Sequence, residues 1–379
     1  MLKLPEIETV FPENDRAAIF RFWLAYWCVF FLLLPWMLLR QFGITGYQAI
    51  GVFRNWKREL ELIPGSLSLL YLNNLRSLLV TLVFGERFTL IRYKDVLIDP
   101  GPIFAVEQIR PLLKALKGRI EAILVTHAHE EHIGNAPMAA ALLEVPVYGT
   151  AVTLEALRRP APLSLPRRTF IGQPLPAEGV TLRLLESPML TPASRFEIIA
   201  SPGHCDGHAS VYDPERGILF AGDSFMHTVF TSPNVDVSGA DWIETLRRYC
   251  RLPIRTMIGT HGLIYSTDPD IPERPFIVSR MDPQQLVADK LAFMEWATAV
   301  VAEGERLGLS YRVIEACLFP WSQWWSWYNW FSDESGRLFS AGEFSRTHFV
   351  RSLSATPKRV PVRFPFFVRL KQAVLDRLR

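Results

Sequence analysis

The chain has 379 residues, 49% of them hydrophobic, with 41 Lys and Arg against 38 Asp and Glu for a formal net charge of +3, so it is long enough to bury one large core or two ordinary ones without a disulfide or metal staple. Its four cysteines, Cys28, Cys205, Cys250 and Cys317, form no CxxC pair and no regular spacing, which argues against a disulfide framework or a cysteine zinc site and suits a reducing compartment. The charge is uneven: residues 358–379 hold seven Lys or Arg against Asp376, a balance of +6 that leaves about −3 on the rest, so the tail suits an anionic membrane surface or nucleic acid, while the acidic remainder argues against a nucleic-acid groove over the main domain, and no nucleic-acid partner is expected.

Residues 22–39 run for eighteen positions without a charge between Arg21 and Arg40, with Pro35 near the exit. Spanning a bilayer takes about 20 apolar residues, so the run is expected to span or to lie on a membrane; a buried core helix is the alternative. Cations lean to its C-terminal side (Arg40, Arg54, Lys57 and Arg58), so the chain that follows is expected on the cytoplasmic side. From about residue 66 the pattern turns to short β-like runs. Strands are expected at 78–83, 88–93, 96–99 and 120–126, the last ending in Val125-Thr126-His127-Ala128-His129-Glu130-Glu131-His132. A helix over 136–143 follows. Strands at 209–212 and 218–221 pair across the turn Asp213-Pro214-Glu215-Arg216-Gly217, a helix covers 241–249, and a strand at 256–259 stops just before His261. Beyond Gly262 the chain reads as helical, most clearly over 283–305. Five tryptophans then fall within residues 318–331, a composition suited to a membrane interface, to substrate lining or to packing on the N-terminal run. The tail at 364–379 mixes apolar and basic residues as surface-lying helices do.

Three of the eight histidines sit within six residues, beside Glu131. Imidazoles two apart on a loop can face one metal, and Glu131 and His132 can face another. His204 in Ser-Pro-Gly-His-Cys-Asp-Gly-His, Asp223 in Phe-Ala-Gly-Asp-Ser and His261 in Ile-Gly-Thr-His-Gly each lie near the end of an apolar strand and close to a glycine.

The ordered series Asp99, His127-x-His129-x-Glu131-His132, His204, Asp223, His261 resembles the metallo-β-lactamase fold superfamily over roughly residues 66–265. The resemblance implies an α/β fold, a four-layer αββα sandwich, here with an apolar membrane-associated segment over 1–65 and a helical region over 266–379. It implies that His127, His129 and His204 bind one metal, that Glu131, His132 and His261 bind a second, and that Asp223 bridges them and orients or deprotonates the attacking water. Asp99 would support the ligands without binding metal, and His208 would be structural. Glu131 departs from the usual Asp, which puts occupancy of the second position in question; Glu130 is expected to be solvated or paired.

Such a family member is expected to be a hydrolase that cleaves an ester, thioester, lactone or phosphoester with a metal-bridging hydroxide, with zinc, two per chain, as the metal. The apolar run, tryptophans and basic tail point to a small-molecule or lipid-like acyl substrate reached from the membrane. Only 37 residues separate Asp223 from His261, too few for the domain that RNA-processing members insert there. The compact core followed by helices looks most like the hydroxyacylglutathione hydrolase and lactonase-like branches. A persulfide dioxygenase with one iron is the alternative that an impaired second position would favour, and a non-catalytic, membrane-docked interaction protein is a third reading.

Overall fold

The computed structural model describes residues 4–11, 59–72, 87–229, 231–274, 277–319 and 342–355, with scattered residues between 19 and 39 and residues 337 and 340. The expected strand at 78–83, most of the tryptophan-rich run and the basic tail lie outside the described residues. Two compact units divide the chain, one of residues 1–4, 38–230 and 238–295, the other of residues 5–37, 231–237 and 296–379.

The first unit is built on two seven-stranded sheets. One runs in chain order through β1 (Glu59–Ile63), β2 (Leu67–Tyr71), β3 (Thr89–Tyr93), β4 (Val96–Ile98), β5 (Ala122–Leu124), β6 (Val147–Gly149) and β7 (Leu182–Leu184). Its first four strands are antiparallel neighbours and its last four parallel. The other is ordered β14 (Val278–Ser279), β13 (Ile264–Ser266), β12 (Thr256–Gly259), β11 (Ile218–Gly222), β10 (Ala209–Asp213), β9 (Arg195–Ala200) and β8 (Met189–Leu190). The expected hairpin is present, with Val211 opposite Phe220.

The period of two along each strand decides which way its side chains go. Ile91, Tyr93, Val96, Ile98 and Leu124 join Phe196, Val211, Ile218, Phe220 and Ile258 in one apolar cluster, which places the two sheets face to face. Their neighbours Leu90, Leu97, Ile123 and Val125 point the other way and meet Ile109 and Leu113 of the helix Val106–Leu116 and Ala136 and Ala139 of the helix Ala136–Leu143. The helix Gly239–Tyr249 meets the outer side of the second sheet, where the Tyr249 hydroxyl lies 2.5 Å from Ser210 Oγ. Mixed sheets clad by helices agree with the expected sandwich. The sheets also reach beyond residues 66–265: the turn after β1 contains residue 65, and β14 follows residue 277. Glu59 and Glu61 alternate with buried Leu60 and Leu62, which is the strand signal in what was expected to be membrane-associated chain.

In the second unit, described residues between 19 and 35 are helical, with Tyr26 buried and the Trp23 ring 5.9 Å from the Arg312 guanidinium. No helix among the described residues is long and apolar enough to cross a membrane, so the spanning form of the expected N-terminal segment gains no support. The expected helical C-terminal region is present as Pro283–Arg306, Tyr311–Leu318 and Arg346–Ser352.

Candidate metal centre

Every predicted site residue comes from the same end of the two sheets. Asp99 follows β4 and His127 follows β5, which runs parallel to it with Ile98 opposite Leu124. β11 runs parallel to β12 with Gly222 beside Gly259, so Asp223 and the Thr260-His261 pair emerge together. The two sheets are joined at this end by a hydrogen bond from Ala209 N to the Thr126 carbonyl, 2.8 Å. Two glycines are required here. Gly203 has φ +132° and a Cβ on it would lie 2.4 Å from Trp242 Cα; Gly222 has φ +56° and its Cβ would lie 2.5 Å from His208 Nε2.

Asp99 is fully buried, adopts φ +50°, and collects three donors. Thr126 N and Thr126 Oγ1 donate to it over 2.8 and 2.7 Å, and His132 Nδ1 stands 3.1 Å from Oδ2. These contacts fix tautomers. His132 Nδ1 carries the proton it gives to Asp99, so His132 Nε2 presents a lone pair. Thr126 spends its hydroxyl proton on Asp99 and so accepts from His127 Nδ1 at 3.0 Å; His127 Nε2 is then bare as well. His261 Nδ1 donates to the Arg87 carbonyl at 2.7 Å, which bares its Nε2. All three lone pairs face one carboxylate oxygen: Asp223 Oδ2 is 3.1 Å from His261 Nε2, 3.4 Å from His132 Nε2 and 3.8 Å from His127 Nε2, with His204 Nε2 at 3.5 Å. Thr260 Oγ1 donates to the other oxygen, Oδ1, which leaves Oδ2 to the imidazoles.

Lone pairs converging on an anionic oxygen in a dry site repel unless a positive charge lies among them. The protonation preferences say the same. Burial works against a charged His132, yet Asp223 and Asp99 outweigh it and hold its pKa well above the ordinary histidine value. Burial also works against a charged Asp223, but His261 and His132 hold it well below the usual carboxylate range. Burial, with His132 and His129 nearby, keeps His127 well below its ordinary value.

The donor set fits a metal. His129 Nδ1 lies 3.0 Å from His127 Nε2 and 3.2 Å from His204 Nε2, close to the edge of about 3.3 Å expected for nitrogens around tetrahedral zinc. Two buried polar atoms, Glu131 Oε2 and His132 Nε2, have no hydrogen-bond partner, as ligands awaiting a cation would. Among the described residues, three groups each bring one ligand atom per residue within 4.8 Å of one another: His127, His129, His204 and Cys205; His127, His132 and Asp223; and His129, Glu131 and Asp223. Glu131 thus falls with His129 as well as with Asp223.

Around these groups, His208 Nε2 accepts from Asp223 N at 3.1 Å and its Nδ1 faces Ser201 Oγ at 2.8 Å. Burial pushes its pKa down to about 4, so it is a neutral prop, as expected. Glu130 is paired: Arg167 makes a two-pronged contact with it, 2.6 Å for each prong, and Glu130 is only 3% exposed. Sequence reasoning missed Arg167, which lies 37 positions away, and Cys205, for which a cysteine directly after a ligand-type histidine was the available signal.

The family model for the metallo-beta-lactamase superfamily matches residues 90–261. A hydroxyacylglutathione hydrolase of Cereibacter sphaeroides is 32% identical over 156 residues, 40% of this chain and 53% of that protein. One of Rhodobacter capsulatus is 31% identical over 170 residues, 44% and 58% respectively. The chain therefore spans about half the length of the curated relatives it matches. Among solved structures, a metallo-beta-lactamase family protein from Thermus thermophilus superposes with a TM-score of 0.51 at 18% identity, covering 76% of this chain and 93% of that one. A beta-lactamase domain protein from Burkholderia ambifaria gives 0.51 at 16% identity, covering 78% and 88%. Both show the fold.

Proposed function

From the premise that this chain belongs to the metallo-beta-lactamase superfamily through residues 90–261, we propose that it is a metal-dependent hydrolase of carboxylic thioesters or esters, holding two zinc ions. The observation that carries the proposal is the convergence of the His127, His132 and His261 lone pairs on Asp223 Oδ2. The thioester preference is supported by the similarity to hydroxyacylglutathione hydrolases, since an acylated glutathione is a thioester.

His127, His129 and His204 would hold one metal, and Glu131, His132 and His261 the other, with Asp223 between them. Bound there, divalent cations supply Lewis acidity toward the acyl oxygen and lower the pKa of a water toward about 7. The chain's own residues do the rest. Asp99 and the Arg87 carbonyl hold His132 and His261 in the tautomer that offers Nε2. Thr260 and the His208–Ser201 pair fix Asp223 from both its side chain and its backbone, so that Oδ2 stays turned toward the imidazoles. The Arg167–Glu130 pair holds the helix Leu165–Phe170 beside the ligand loop.

A second proposal concerns place: the enzyme works against a lipid surface, with its catalytic part on the cytoplasmic side and a lipid-like acyl compound as substrate. It is supported by Phe20, Leu24, Phe31 and Leu32, which are 67%, 55%, 64% and 78% exposed, while Trp23 and Tyr26 secure the same segment to its own unit. The basic composition of residues 358–379 would add attraction to anionic lipid.

Metal content of chain purified without added metal, beside the Glu131→Asp variant, tests the proposal. Two zincs per chain in both agrees with it. One iron per chain would favour persulfide oxidation instead, and no metal in either would leave the non-catalytic reading.

A further inference from the structure

Cys205 directly follows His204 and is 2% exposed, and it is not in a disulfide. Adjacent residues in extended chain point to opposite sides, but the loop here turns through Gly203 and Gly207, with φ +132° and +66°, and both side chains reach one cluster. The Cys205 Sγ and one ring nitrogen from each of His127, His129 and His204 lie within 4.8 Å of one another, and all four residues are buried.

We propose that Cys205 is a fourth protein ligand of the metal held by His127, His129 and His204, so that this position presents three nitrogens and one sulfur. The inference rests on the reading that the centre binds metal. Its first support is geometric. The His129–His127 and His129–His204 nitrogen separations of 3.0 and 3.2 Å already match a tetrahedral arrangement that has room for one more donor. Asp223 Oδ2 lies 3.5 and 3.8 Å from His204 and His127 against 3.1 and 3.4 Å from His261 and His132, so between the two positions it leans toward the second. The second support is chemical. A buried thiol beside three imidazoles meets little water that would compete for the cation, and a thiolate is a stronger and softer donor than water. On binding, the thiol would lose its proton to solvent and the sulfur would form one bond to the metal. The resulting set favours zinc over iron and lowers the charge left at that position, so the second position would be the more electrophilic of the two.

The test is X-ray absorption at the zinc edge on the zinc-loaded full chain, with Cys205→Ser compared and Cys250→Ser as the control. The proposal expects a sulfur neighbour at about 2.3 Å from zinc in wild type and in Cys250→Ser, absent in Cys205→Ser. With cobalt in place of zinc, a near-ultraviolet thiolate-to-cobalt absorption should be lost in the same variant alone. A shell of nitrogen and oxygen only in the wild-type chain would overturn the proposal while leaving the hydrolase reading intact, and the thiol would then be packing beside the centre. Failure of the wild-type chain to hold zinc at all would instead remove the reading on which it rests. If Cys205→Ser does not fold, the wild-type spectrum decides alone.

Discussion

Lys290 offers a quantitative test of how dry the surroundings of the centre are. It leaves the helix Pro283–Arg306, is fully buried, donates to the His227 carbonyl at 3.0 Å, and places Nζ 4.8 Å from the Trp242 ring centre and 5.5 Å from that of Phe225. Trp242 in turn stands edge-on to His204. Burial pulls the Lys290 pKa from 10.5 down to about 7. Between those two values the unfolded chain keeps the proton and the folded chain releases it, so stability rises with pH across this window. The slope is about 1.4 kcal/mol per pH unit, and the full span is about 5 kcal/mol. Below pH 7 both states are protonated and the whole desolvation cost is present; contact with the rings and the carbonyl offsets an order of 1–3 kcal/mol of it. Lys290→Met removes the titration. Urea unfolding of both proteins from pH 7 to 9.5 should show wild type gaining about 3 kcal/mol relative to the variant over that interval. Parallel pH curves would refute the argument, because a lysine that stays charged throughout is not in a dry site.

Other perturbations follow from the same geometry. Asp99→Asn keeps the side chain's size and its tolerance of positive φ but loses the charge that orients His132, and should weaken metal retention about 10–100-fold in chelator competition, with circular dichroism unchanged. Gly222→Ala drives a Cβ to 2.5 Å from His208 Nε2 at a φ of +56°, and thermal melting should show a loss of about 2 kcal/mol or more. His208→Ala removes the acceptor for Asp223 N and should cost about 1–3 kcal/mol in the same melt. Flotation with anionic vesicles should retain the wild-type chain, and the double change Phe31→Asp and Leu32→Asp should release it; equal flotation of both would count against lipid docking through this segment.

The candidate site was legible because its residue types recur in a fixed order at strand ends, where a sheet must deliver side chains into loops. His127, His129, His132, His204, Asp223 and His261 meet within a few ångströms despite separations of up to 134 positions, and Asp99 supports His132 as its place in the series implied. The hairpin at Asp213–Gly217 and the helix after the ligand loop were equally plain, since turn residues and a helical run mark them. Less was readable where the local signal is short. β6, β7 and β13 have three residues each, too few to display a period. The pairing of Glu130 with Arg167 and the burial of Lys290 depend on the approach of segments distant in sequence, which no window of sequence contains. The nearness of Glu131 to His129 follows from how the four-residue helix Glu130–Ile133 presents its side chains, and spacing alone does not decide that.

Whether the convergent imidazoles hold metal for hydrolysis is decided by the rate of thiol release from an S-acyl thioester, measured on the purified chain, after chelation, and after return of zinc, with His129→Ala alongside. The expected result is turnover that disappears on chelation, returns as zinc approaches two per chain, and is absent from His129→Ala at every zinc level. Hydrolysis that survives chelation, or that His129→Ala retains, would contradict metal-dependent hydrolysis at this site.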